Sequence, residues 1–234
     1  PKLEGETGSN RGVALTSLFT ARGVADVSSV RGLPSLPDSY DELRSMARSL
    51  NVDDAALLVG GAATETALKK MKLSEFKVVT FATHGLVAGD LGGLAEPALV
   101  LTPPKVGSAL DDGLLTAGEV AQLKLDADWV ILSACNTAAG DGTPGAEGLS
   151  GLAKAFFYAG ARSLLVSHWP VASDAAVRIT TRTLKEMQVP GVGRAEAHQR
   201  AMLALIESSD RPHYAHPLFW APFVVVGEGG PTQP

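Results

Sequence analysis

The stretch WVILSACNT, residues 129–137, decides how the chain is read. Trp129 to Ser133 is apolar with no polar alternation, which predicts a strand buried on both faces. It runs straight into Cys135, and residues 136–147 are small and Gly-rich, hence a loop. A second stretch, FKVVTFATHG at 76–85, repeats the design: a β-branched and aromatic run from Phe76 to Ala82, then His84 and Gly85.

Working outward from these two runs, helices and strands alternate. Downstream, Leu149 to Ala159 predicts a helix closed by Gly160 in a left-handed cap. Ser163 to Val166 predicts a strand, and Ser173 or Asp174 begins a helix to about Met187. Pro190-Gly191 breaks the chain before a helix over Ala195–Ser208 and a last strand over Pro222–Val226. Upstream, Asp38 is placed to cap a helix with Tyr40, Leu43, Ala47 and Leu50 on one face. Ala55–Val59 predicts a strand and Thr64–Met71 a helix. Residues 86–115 read as an excursion around one strand-like run, Ala98–Thr102. Thr116 and Glu119 have capping-box spacing for a short helix to about Leu123. The whole predicts an α/β fold: a mainly parallel central sheet flanked by helices. Residues 1–32 form an N-terminal segment, packed on or preceding the domain, where Val13 to Phe19 fits helix or strand. Residues 33–227 form the domain and 228–234 a tail.

Composition bounds the function. With 234 residues the chain can bury one sizeable core. A hydrophobic content of 45% and charged content of 19% describe a globular domain. The net charge of −5 and the lack of Lys/Arg clusters speak against nucleic-acid binding. No apolar run approaches the roughly 18 residues of a membrane span. One cysteine excludes an internal disulfide, fits a reducing cytoplasmic compartment, and cannot by itself build a thiolate zinc site. The chain does not start with Met, so it is expected to be a piece of a longer protein.

His84 and Cys135 each follow a buried strand. The carboxyl ends of strands are where open α/β sheets bind ligands. If the strands are neighbours, the two side chains face each other across one crevice. A thiolate can attack a carbonyl carbon, and an imidazole can move the protons. Gly85 lets substrate approach the backbone, and its N–H with that of Cys135 can hold an oxyanion. The histidine precedes the cysteine by about 50 residues, the spacing of caspases. Taken singly, a lone cysteine or histidine ending a strand is more often a packing residue. Paired and in this order, they make a candidate catalytic dyad.

Around these residues the sequence resembles the CHAT domain, a caspase-like peptidase domain often joined to tetratricopeptide repeats. The resemblance rests on FATHG (81–85), DDGLLTAGEV (111–120), ILSACNT (131–137), GAEGLSGLAKAFFYAGARS (145–163), SHWPV (167–171) and HPLFWAPFVVVG (216–227). It implies a three-layer caspase-like sandwich related to caspases, separases and gingipains. It also implies a cysteine endopeptidase with His84 and Cys135 as catalytic residues, needing no third triad member and no cofactor or metal. A protein substrate, a fused tetratricopeptide-repeat module or activating partner, and a bacterial source go with it. SHWPVASDAAV resembles the separase segment lining the first substrate pocket, with Trp169 as a wall and Asp174 as the partner of a basic side chain. Asp141 is a competing acidic candidate, and Asp174 also suits a helix N-terminus. His198, His213 and His216 read as helix-surface, loop and packing residues. The alternative function is a catalytically silent interaction module on the same fold.

Overall fold

The computed structural model of the chain describes residues 24–86, 94, 96–134, 151–169 and 171–231. In chain order these form α1 (Val27–Arg31), α2 (Pro37–Ser49), α3 (Glu65–Lys70), β1 (Val78–Ala82), β2 (Gly85–Leu86), β3 (Ala98–Val100) and β4 (Leu114–Thr116). There follow α4 (Ala117–Val120), β5 (Trp129–Ser133), α5 (Gly151–Ala159), β6 (Ser163–Ser167), α6 (Ser173–Met187), α7 (Arg194–Ile206), α8 (Pro217–Trp220) and β7 (Phe223–Gly227).

The central sheet has the order β1-β5-β6-β7. β1, β5 and β6 are parallel, and β7 closes the sheet antiparallel to β6. β5 is buried throughout because it sits inside the sheet with helices on both faces. Alternate side chains serve opposite layers, as the strand period demands. Val130 and Leu132 pack with Leu152 and Phe156 of α5 and Val120 of α4. Trp129 and Ile131 pack with Met46 of α2, Ile179 of α6 and Leu205 of α7. Full burial of each such side chain contributes about 1.5–3 kcal/mol. This is a three-layer α/β sandwich, as the alternation of runs predicted.

A small antiparallel sheet, β2-β3-β4, stands beside the central one. Its long connection before β4 is fastened by the buried Glu65. One Glu65 carboxylate oxygen accepts the N–H groups of Asp112 and Gly113, each at 2.8 Å, and the other accepts from Lys69 Nζ at 2.7 Å. Burial outweighs these partners and raises the carboxyl pKa. The capping box before α4 is present in both directions.

Several expectations need correction. Ala55–Val59 is not a paired strand: a 3₁₀ turn covers Asp54–Ala56 and Leu57–Val59 runs extended. β1 is not buried on both faces. Only Phe81 is, because β1 lies at the sheet edge among the described residues. α2 starts two residues earlier than predicted, with Leu36 as its cap, Pro37 in its first turn and Asp38 inside the helix rather than at the cap. His198 is not on the surface: it is buried between α7 and β7, its Nε2–H donating to the Phe223 carbonyl at 3.1 Å. His216 is exposed and accepts the Leu218 N–H at the start of α8, a cap rather than a packing residue. Beyond Gly227 the chain turns back to α7, where the Gly229 carbonyl accepts the Ala195 N–H at 2.9 Å.

Candidate functional site

Parallel strands put their carboxyl ends on one edge of the sheet. β1, β5 and β6 therefore deliver His84, Ala134 and Trp169 to the same edge, in that spatial order. Neighbouring strands lie about 4.8 Å apart. The β1–β5 register pairs Ala82 with Ser133. His84 lies two residues past one member of that pair, and position 135 lies two past the other. Cys135 and Asp141 themselves fall outside the described residues.

His84 is 4% exposed. Its Nε2 lies 2.8 Å from the carbonyl oxygen of Pro34, in the loop joining α1 to α2. A carbonyl only accepts, so Nε2 carries the hydrogen of this bond. The Pro34 carbonyl thus fixes the ring's orientation. The main chain of His84 is held too: its carbonyl accepts the Val100 N–H of β3 at 2.9 Å. That bond makes His84 and Val100 a hydrogen-bonded antiparallel pair. In such a ladder the next pair, Gly85 with Leu99, turns its backbone groups outward, so the Gly85 N–H points away from β3.

The carboxyl end of β5 is also braced. Ser167, the last residue of β6, donates its hydroxyl to the Ala134 carbonyl at 2.6 Å, and both residues are buried. Ala134 is the last described residue before the cysteine.

Trp169 lies between β6 and α6 and is 36% exposed. Asp174 sits in the first turn of α6, where one carboxylate oxygen accepts the Ala175 N–H at 2.9 Å. The other oxygen accepts from the Tyr214 hydroxyl and from Arg211 Nη1 at 3.3 Å. Burial, then the bond to Asp174, pushes the Tyr214 phenol up to about 12. Both residues thus stand at the carboxyl end of β6, and the Asp174 carboxylate already has a cation and a phenol beside it.

Sequence reasoning missed four of these partners. The Pro34 carbonyl is main chain, and no residue type announces it. Tyr214 and Arg211 are 40 and 37 positions from Asp174. Ser167 lies within SHWPV, but nothing in that motif names the carbonyl it braces.

A groove of about 860 Å³ runs along β1 to His84. Its walls are mostly apolar and include Leu33, Leu43, Leu58, Met71, Phe76 and Val79. Among the described residues no helix is long and apolar enough to cross a membrane.

Comparison with known proteins adds the following. A family model described as CHAT domain matches residues 7–228. Tetratricopeptide repeat protein 28 of Mus musculus is 34% identical over 114 residues, 49% of this chain and 4% of that protein. Tetratricopeptide repeat protein 28 of Homo sapiens is 28% identical over 197 residues, 73% of this chain and 8% of that protein. The chain therefore spans less than a tenth of the length of these relatives. Both are mammalian and lend no support to the bacterial source that the motifs implied.

Proposed function

The chain belongs to the CHAT domain family, and on that premise we propose that it is a cysteine endopeptidase domain of caspase-like fold acting through His84 and Cys135. The observation that carries this reading is the register of β1 and β5. It pairs Ala82 with Ser133 on adjacent parallel strands, and in the sequence each member of that pair stands two residues before a member of the proposed dyad.

The chemistry follows from the groups present. The Cys135 thiolate attacks the scissile carbonyl carbon, forming a C–S bond and an oxyanion. The N–H groups of Gly85 and Cys135 receive that oxyanion; the outward turn of the Gly85 N–H supports this role. His84, with Nε2–H held by Pro34, takes the Cys135 thiol proton on Nδ1 and gives it to the leaving amine as the C–N bond breaks. Water then attacks the thioester, His84 takes the proton from that water, and the acid product leaves with the thiol restored.

Trp169 and Asp174 form the first substrate pocket in this reading, with Asp174 receiving a basic side chain before the scissile bond. A substrate cation shares that carboxylate with Arg211 and Tyr214. Asp141 is the competing acid. The substrate is a protein, and the single cysteine fits a reducing, cytoplasmic setting. Residues 33–227 make the peptidase unit, controlled by a fused repeat module or a partner.

The test uses the chain and its full-length parent on short peptides that vary the residue before the scissile bond. Cleavage is expected, together with a covalent adduct at Cys135 from a peptide chloromethyl ketone. Cleavage that survives Cys135→Ala refutes the nucleophile. No cleavage and no adduct, from either chain or parent, favours a silent interaction module. Asp174→Ala is expected to reduce cleavage after Arg and Lys selectively, and an unchanged preference refutes the pocket.

A further inference from the structure

The places that Asp174 can offer a cation can be counted. A carboxylate has about four lone-pair sites, two on each oxygen. Oδ1 of Asp174 accepts the Ala175 N–H at 2.9 Å. Oδ2 accepts both the Tyr214 hydroxyl and Arg211 Nη1, the latter at 3.3 Å. Among the described residues Oδ2 is therefore full, and Oδ1 keeps one open site. The Asp174 side chain is 45% exposed, so a solute can reach it.

The two occupants of Oδ2 are not alike. Tyr214 is buried in the core beside α6, its ring edge-on to His213 and Phe219. Its N–H is tied to the Arg211 carbonyl at 3.0 Å. The Arg211 side chain is 34% exposed, and 3.3 Å is long for a bond from a guanidinium to a carboxylate. The same guanidinium lies 5.9 Å from the centre of the Tyr214 ring, whose face can hold it by a cation–π contact. Arg211 is thus the occupant that a ligand can displace.

The head group of the ligand decides whether it has to. An ammonium is a compact point charge that needs a single oxygen site. A guanidinium binds a carboxylate as a fork, with an N–H on each oxygen. We propose that Arg211 is a specificity residue, which makes the Asp174 pocket take a lysine side chain in preference to arginine. The ammonium uses the open site on Oδ1 and leaves the Arg211 pair intact. The guanidinium needs Oδ2 as well, and must first break that pair. This rests on the reading of Asp174 as the partner of a substrate's basic side chain, and it names which base.

Binding of n-butylammonium and n-butylguanidinium to the chain, followed by NMR titration, tests this without any turnover. The unmodified chain is expected to bind n-butylammonium more tightly. Arg211→Gln is expected to favour n-butylguanidinium, shifting the ratio of the two affinities by about 5-fold, which is what an exposed ion pair can supply. Arg211→Met serves if that variant does not fold. Asp174→Asn is expected to abolish binding of both. If the unmodified chain prefers n-butylguanidinium, or if the ratio is the same with and without Arg211, the proposal is overturned while the pocket stands. If neither cation binds, or if binding survives Asp174→Asn, the pocket and the proposal fall together.

Discussion

At the residue scale, the site is a histidine gripped from behind. The Pro34 carbonyl holds Nε2–H and so orients the ring. His84→Ala is expected to lower peptide cleavage by about 10²–10⁴-fold while the chain stays folded, read by initial rates and near-ultraviolet dichroism. Loss of the fold, or activity within a few-fold of the parent, contradicts an acid–base role. Tyr214 gives a second residue-scale prediction. Its phenol, buried and bonded to the Asp174 carboxylate, is pushed up to about 12. A spectrophotometric titration should show one late tyrosine, which Tyr214→Phe removes at a cost of about 1 kcal/mol in stability. The two strands before His84 and Cys135 were legible in the sequence because each is an apolar run, although one of them proved to be an edge strand among the described residues. The partners that hold the site were not legible. One is a main-chain carbonyl, and the others lie tens of residues from what they touch.

At the scale of elements, the runs that read true are those whose burial is decided by the sheet itself. Trp129–Ser133 and Ser163–Ser167 are surrounded on all sides, so their composition is constrained at every position. Phe76–Ala82 has a similar composition, but the same letters serve an edge strand with one flank on a groove. Ala55–Val59 has strand composition and no described partner, which shows that pairing is a tertiary event that propensity cannot supply. Turns were more legible, because a positive φ restricts the residue. Gly160 ends α5 at φ +110°, with the Leu125 carbonyl packed where a Cβ would stand. Gly191 has φ +81° and open space around it. Gly191→Ala should therefore cost about 1 kcal/mol, the strain of the left-handed backbone alone. Gly160→Ala should cost about 3 kcal/mol or more, since strain and a main-chain clash combine at the turn into β6. Urea denaturation of the two variants side by side checks this. Equal costs would mean that the α5–β6 turn relaxes freely, and that its position does not depend on the close approach to Leu125.

At the scale of the whole molecule, stability should fall on mild acidification for a reason that can be located. His198 sits between α7 and β7, its Nε2–H spent on the Phe223 carbonyl and its Nδ1 buried without a partner among the described residues. Burial lowers its pKa below 6.5, outweighing the carbonyl bond. The folded state therefore resists a proton that the unfolded chain accepts. Where the unfolded state binds more protons, stability rises with pH. The contribution of neutral His198 is thus present above about 6.5 and is lost as pH falls through the unfolded value and towards the folded one. Glu65 acts with the opposite sign. Its raised pKa lets the folded state take up a proton first, so it offsets part of the loss nearer its own range. The carboxylates of Asp26, Asp126 and Asp210, whose pKa values are lowered by their hydrogen bonds, matter only below the usual carboxylate range. The first acid-sensitive step is therefore assigned to the seam between α7 and β7. Urea unfolding midpoints at pH 7.5 and 5.5 should differ for the parent chain. They should draw together in His198→Gln, whose amide can still donate to the Phe223 carbonyl but cannot ionise. An equal acid shift in both proteins would move the sensitivity elsewhere, and would mean that His198 accepts its proton without disturbing the strand it is bonded to.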